Sequence, residues 1–97
     1  MNETYAAPLR IDAADPALPG HFPGNPIVPG VVLLQQVAAA LKQWRGEPMV
    51  RFEAKFLAPL LPEQEAIIEL RDDASRVRFA IRRGGDVLAK GIVEVNA

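Results

Sequence analysis

The ninety-seven residues offer little that can do covalent chemistry, and this narrows the possibilities quickly. There is one histidine, His21, and no cysteine. Thiolate nucleophiles, disulfides and thiolate metal sites are therefore excluded, and a multi-histidine zinc site cannot be built within one chain. The only serine, Ser75, sits in a turn beside charged residues and is a poor candidate for a nucleophile with a base at hand. What remains is proton transfer by an imidazole, the side chain that titrates nearest neutrality. His21 lies in Gly20-His21-Phe22-Pro23-Gly24-Asn25-Pro26-Ile27-Val28-Pro29-Gly30, directly ahead of a run of apolar residues. Prolines stiffen such a loop, so a side chain mounted on it can be held in place.

The elements that must position this loop follow from periodicity. Residues 4–12 alternate, with Tyr5, Ala7, Leu9 and Ile11 on one face, which predicts a short strand; Pro8 suggests an edge. Residues 13–30 are too dense in proline and glycine for regular structure, and a loop this long in a small domain is often functional. From Val31 to Arg45 the pattern is helical with almost no polar face, which predicts a buried helix. Lys42, Gln43 and Arg45 gather in its last turn, Gly46 is a natural stop, and Trp44 an anchor at that end. Val50, Phe52, Ala54 and Phe56 alternate with charged residues, and Val77, Phe79 and Ile81 alternate with Arg76, Arg78, Ala80 and Arg82. Ala66, Ile68 and Leu70 form another strand, Arg71 to Ser75 a turn, and Gly84-Gly85-Asp86 a tight connection to a last strand from Val87 to Val95. One strand, one buried helix and four hairpin-linked strands give an α+β domain over residues 1–97, an antiparallel sheet of about five strands wrapped around the helix.

Composition sets further bounds. Net charge is −1, with three basic and four acidic residues in the first forty-nine and eight of each in the rest. No clustered positive footprint for nucleic acid is visible. The apolar run from Val31 to Leu41 is too short to span a bilayer, and no basic leader precedes an apolar block at the amino end, so a cytoplasmic location is expected. A chain this short has a modest core, and oligomerisation is a natural way to bury more surface.

The stretch from Gly20 to Val32 resembles the signature of the 3-hydroxyacyl-acyl-carrier-protein dehydratases, at His21, Phe22, Pro23, Gly24, Pro26, Pro29 and Gly30 with unchanged spacing. Residues 51–62 look, less specifically, like that family's strand and proline-containing turn after the helix. The resemblance implies a hot-dog fold and a dimer joined by edge pairing of two sheets, with an apolar tunnel beside the helix. It makes His21 the base that removes the proton next to the thioester carbonyl. Gly30 and Val31 become the source of the amides that hold the thioester oxygen. Free N–H groups at a helix start are suited to that role on physical grounds as well.

One position departs from the family pattern. The helix residue fourteen places after the histidine is an acid in the family and is Gln35 here. An amide donates and accepts hydrogen bonds but passes no proton, and no Asp or Glu occurs between Asp15 and Glu47 to replace it. Gln35 either orients a water or the leaving hydroxyl, or is a buried glutamine satisfied by the backbone. Gln36, about 100° further round, reads as a packing or interface residue. The functional expectation is a dehydratase giving a trans-2-enoyl thioester, in a short form resembling those of aryl polyene pathways. Its substrate rides on the phosphopantetheine of an acyl carrier protein, without cofactor or metal. The alternative is a non-catalytic or half-site subunit of a heteromeric dehydratase, the protein being a homodimer or paired with a related subunit. A hot-dog thioesterase ranks last, since the helix offers no carboxylate to activate water. Arg76, Arg78, Arg82 and Arg83 form either a carrier-protein docking surface or simply a solvated strand face.

Overall fold

Alternating residues become strands and the apolar run becomes a helix in the computed structural model, which describes residues 3–15 and 27–95. The elements are β1 (Thr4–Leu9), α1 (Gly30–Arg45), β2 (Met49–Phe56), β3 (Ala66–Asp73), β4 (Arg76–Arg83) and β5 (Asp86–Val95). All pairings are antiparallel, in the order β1-β3-β4-β5-β2. Pro8 does lie on an edge strand. No helix among the described residues is long and apolar enough to cross a membrane.

Two connections differ from the expected hairpin chain. β3 runs on to Asp73 because Asp72 pairs with Val77 and Asp73 with Arg76, which shortens the turn to Ala74 and Ser75. Ala74 there takes a φ of 58°, in the left-handed region. The larger difference is that β2 does not pair with β3. It crosses to the far side and pairs with β5, leaving residues 57–65 to carry the chain from that edge back to β3, the strand next to the β1 edge. Pro59 and Pro62 keep this segment out of any ladder. It is fastened instead by single hydrogen bonds: Leu57 and Ala58 donate to the Leu88 carbonyl at 2.8 and 3.2 Å, and Glu63 to that of Ile11 at 2.8 Å.

One sheet face meets the helix. Tyr5, Leu70, Phe79, Gly91 and Ala54 lie in one cross-strand row and Ala7, Ile68, Ile81, Ala89 and Phe56 in the next. Against it the helix buries Val32, Leu33, Val37, Ala40 and Leu41. Gly46 ends the helix with φ 73° and donates to the Lys42 carbonyl, the left-handed stop the sequence called for. Trp44 anchors this end by stacking on Tyr5 of β1 at 5.8 Å between centroids, with the Arg45 guanidinium 4.0 Å from the indole centre and paired to Asp72.

The helix is not buried all round. Val31 is 63% exposed, and Gln35 and Ala39, one and two turns on, are exposed with it. A single sheet covers only one side of a helix, so the remaining stripe faces outward however apolar it is. β2 shows the matching effect, for Val50, Phe52 and Phe56 are all about half exposed or more.

Gly91 marks where β2 and β5 approach most closely. A Cβ there would lie 1.9 Å from the Glu53 carbonyl oxygen and 2.7 Å from Phe79 Cε2. Gly91→Ala is therefore expected to lower unfolding free energy by about 1–3 kcal/mol or more, the usual cost of overpacking. A urea-denaturation midpoint matching that of the wild type would contradict the close approach.

Candidate functional site

The start of α1 is the position that the chain holds most deliberately. Pro29 caps it in an extended conformation (φ −60°, ψ 146°), without a side-chain capping bond. Its carbonyl accepts from the amides of Val32 and Leu33 at 3.0 and 3.3 Å. The amides of Gly30 and Val31 have no acceptor among the described residues. No acidic side chain stands in this first turn, and the first ionisable residue along the helix is Lys42. The positive end of the helix dipole is thus left unneutralised by the helix itself.

Two contacts from the β2 end of the sheet fix this turn. The Val28 amide donates to the Leu60 carbonyl at 2.9 Å, which ties the approach to the helix to the crossover segment. The ring of Phe56, the last residue of β2, packs on Gly30 so closely that a Cβ at position 30 would lie 2.9 Å from its Cζ. A side chain at position 30 would therefore have to push the Phe56 ring aside, and glycine is also compatible with a helix entry. Phe56 itself is 49% exposed. Alternation alone marks Phe52 and Phe56 as ordinary inward-facing strand residues. Only the limited width of the helix separates the one beside the helix entry from a core position, and the absent side chain of Gly30 is its sole trace in the sequence.

Gln35 lies one turn beyond Val31, exposed, and its side chain makes no hydrogen bond with another described residue. The reading of Gln35 as a buried glutamine satisfied by backbone groups is thereby corrected, since no described element covers the helix on that side. Gln36 is partly buried. His21, with the rest of residues 16–26, lies outside the described residues.

The arginines of β4 do not act as one group. Arg78 pairs with Asp73 at 2.7 Å and Arg82 with Glu69 at 2.5 Å, while Arg83 donates to the Pro59 carbonyl and to Gln64. A concavity of about 790 Å³ lies on the sheet face turned away from the helix, with Glu53, Lys55, Glu69, Arg71, Arg78 and Lys90 around it. It includes neither the helix start nor Gln35, so it is separate from the candidate site.

This geometry can hold a developing negative charge at two amides, beside an aromatic wall, with an amide side chain one turn along the helix. Because the Gln35 side chain is exposed and bonded to no described residue, Gln35→Ala should leave the stability of the isolated chain within about 0.5 kcal/mol of wild type. A larger loss in chemical denaturation would show that Gln35 carries structural weight.

Comparison with known proteins gives a consistent picture. The family profile described as ApeI dehydratase, of the ApeI-like group, matches residues 1–92. A 3-hydroxyacyl-[acyl-carrier-protein] dehydratase FabZ of Haemophilus influenzae is 32% identical over 97% of this chain, and the FabZ of Ehrlichia canis is 32% identical over 71%. The chain spans 66% and 55% of the lengths of those two relatives. Among solved structures, the dehydratase heterocomplex ApeI:P from Xenorhabdus doucetiae superposes with a TM-score of 0.84 at 20% identity, covering 100% of this chain and 95% of that one. A probable thioesterase from Bartonella henselae superposes at 0.71 and 17% identity, covering 95% and 87%. These superpositions establish the hot-dog fold, which hosts both activities.

Proposed function

Because the chain belongs to the ApeI-like dehydratase family, we propose that it eliminates water from a 3-hydroxyacyl thioester carried on the phosphopantetheine of an acyl carrier protein. The observation that carries this reading is the helix start, with two donor amides at Gly30 and Val31, no carboxylate in its first turn, and the His21 loop leading into it. In the reaction His21 takes the proton from the carbon next to the carbonyl. The electron pair moves toward the thioester oxygen, where the two amides hold it, then returns to expel the 3-hydroxyl, which takes the proton back from the His21 imidazolium and leaves as water to give the trans-2-enoyl thioester. Preorganised donors of this kind are typically worth about a hundred- to a thousandfold in rate each. No step needs a metal or a cofactor beyond the carrier's own arm. The pathway we favour is an aryl polyene or related one.

Gln35 favours a second reading. Without a carboxyl at this position the leaving hydroxyl has no dedicated acid besides the one imidazole, and losing a general acid typically costs about 10²–10⁴ in rate. The uncovered Val31–Gln35–Ala39 stripe and the half-exposed Phe52 suit a partner subunit, either a second copy or a related chain that supplies the acid across the interface. The heteromeric dehydratase of Xenorhabdus doucetiae gives a precedent for pairing of two different chains. Edge pairing along β2 would join the sheets.

Incubating purified protein with a 3-hydroxyacyl-carrier-protein and following the 18 Da loss of one water by mass spectrometry tests both readings (about 18 Da is the mass of the group eliminated in general acid–base dehydration). Water loss that disappears in His21→Ala supports a stand-alone dehydratase; none from folded protein overturns it and favours the half-site subunit. Gln35→Glu should raise turnover of the isolated chain by about 10²-fold or more if the missing acid is what limits it.

A further inference from the structure

The ring of Phe56 and the missing side chain of Gly30 form a matched pair. Substituting any other residue at position 30 would put its Cβ 2.9 Å from Phe56 Cζ and 3.2 Å from both Cε atoms, so the ring sits face-on to the glycine with no room between them. Yet Phe56 is 49% exposed and contributes little to the core, unlike Ala89 beside it in the same cross-strand row, which is fully buried. The narrow helix accounts for the exposure of Phe56 as it does for Val50 and Phe52, but of these Phe56 is the one laid against the first residue of the helix. The glycine it covers is the first residue of a helix whose first two amides have no acceptor among the described residues.

We propose that Phe56 is a positioning residue for the thioester: its ring fixes the first turn of α1 and walls one side of the Gly30 and Val31 amides, so that they meet the thioester oxygen in place of water. The inference rests on the dehydratase reading of this site and adds to it a residue, contributed by β2, that no proton transfer requires. Hydrogen bonds to a developing oxyanion gain most where water is excluded. The ring supplies that exclusion without offering a competing acceptor. It acts through the amides, so its loss weakens an interaction made in the transition state and lowers kcat more than it raises KM.

The pair predicts a non-additive mutant cycle. Phe56→Ala should lower kcat on the order of ten- to a hundredfold, with KM within about threefold. Phe56→Tyr, which keeps the ring, should stay close to wild type. Gly30→Ala should give a similar loss by displacing the ring, and Phe56→Ala/Gly30→Ala should be no worse than Phe56→Ala alone, since no ring is left to displace. Circular dichroism melting of each variant checks that the half-exposed position tolerates the change. A fall confined to KM, or strictly additive losses, would overturn the inference.

A second measurement separates this inference from the reaction itself. Hexanoyl-pantetheine, which has no hydroxyl to lose, is titrated into ¹⁵N-labelled protein. The Gly30 and Val31 amide resonances should shift in the wild type and much less in Phe56→Ala. If the wild type removes no water but this difference is seen, the dehydratase reading fails while the role of Phe56 stands. Equal shifts in both proteins, or none at those amides in the wild type, would overturn the role of Phe56.

Discussion

A helix about 10 Å across cannot cover a sheet whose five strands span about 19 Å from first axis to last. This mismatch of widths governs the molecule. The helix seals the part of the sheet where Leu70, Phe79 and Ile81 lie, and these are almost fully buried. It leaves the helix-side residues of β2 half uncovered, along with its own outer stripe at Val31, Gln35 and Ala39. Among the described residues, Val31, Gln35 and Phe56 all lie where coverage runs out. β2 itself lies at the far edge, beyond β5, instead of beside the strand that follows it in sequence.

The site depends on this edge position. Had β2 paired with β3, Phe56 would not meet Gly30, and the crossover segment would not offer its Leu60 carbonyl to Val28. Two connections that lie far apart along the chain, the approach to the helix and the exit from β2, thus brace one another at the helix start. The fastening is made of single backbone hydrogen bonds and one ring contact. The Gly30 and Val31 amides there have no acceptor among the described residues, and the first turn carries no acid to occupy them.

Much of this was legible in the residues. Period-two alternation found the strands, the polar last turn and Gly46 placed the helix end, and the proline and glycine spacing around His21 pointed to the dehydratase family and to the helix start. What could not be read was coverage. Phe52, Phe56 and Val31 carry the same hydrophobicity as Phe79 and Val37, and only the assembled layers tell a half-exposed residue from a buried one. The same limit applied to Gln35, for which burial and exposure were equally compatible with an apolar helix. The pairing of β2 with β5 was hidden because a nine-residue proline-bearing segment looks like a turn whether it closes a hairpin or crosses a sheet.

At the opposite end of the helix the chain carries its only tryptophan, stacked on its only tyrosine and beneath the Arg45 guanidinium. The stack joins α1 to β1, two elements separated by the whole of the His21 loop. Indole emission responds to a neighbouring cation and to the entry of water, so the fluorescence of Trp44 reports one event, the seating of the helix on the first strand. The protein thereby carries an intrinsic optical probe placed away from the candidate site, able to follow docking of the helix without a label and without disturbing the amides at its other end.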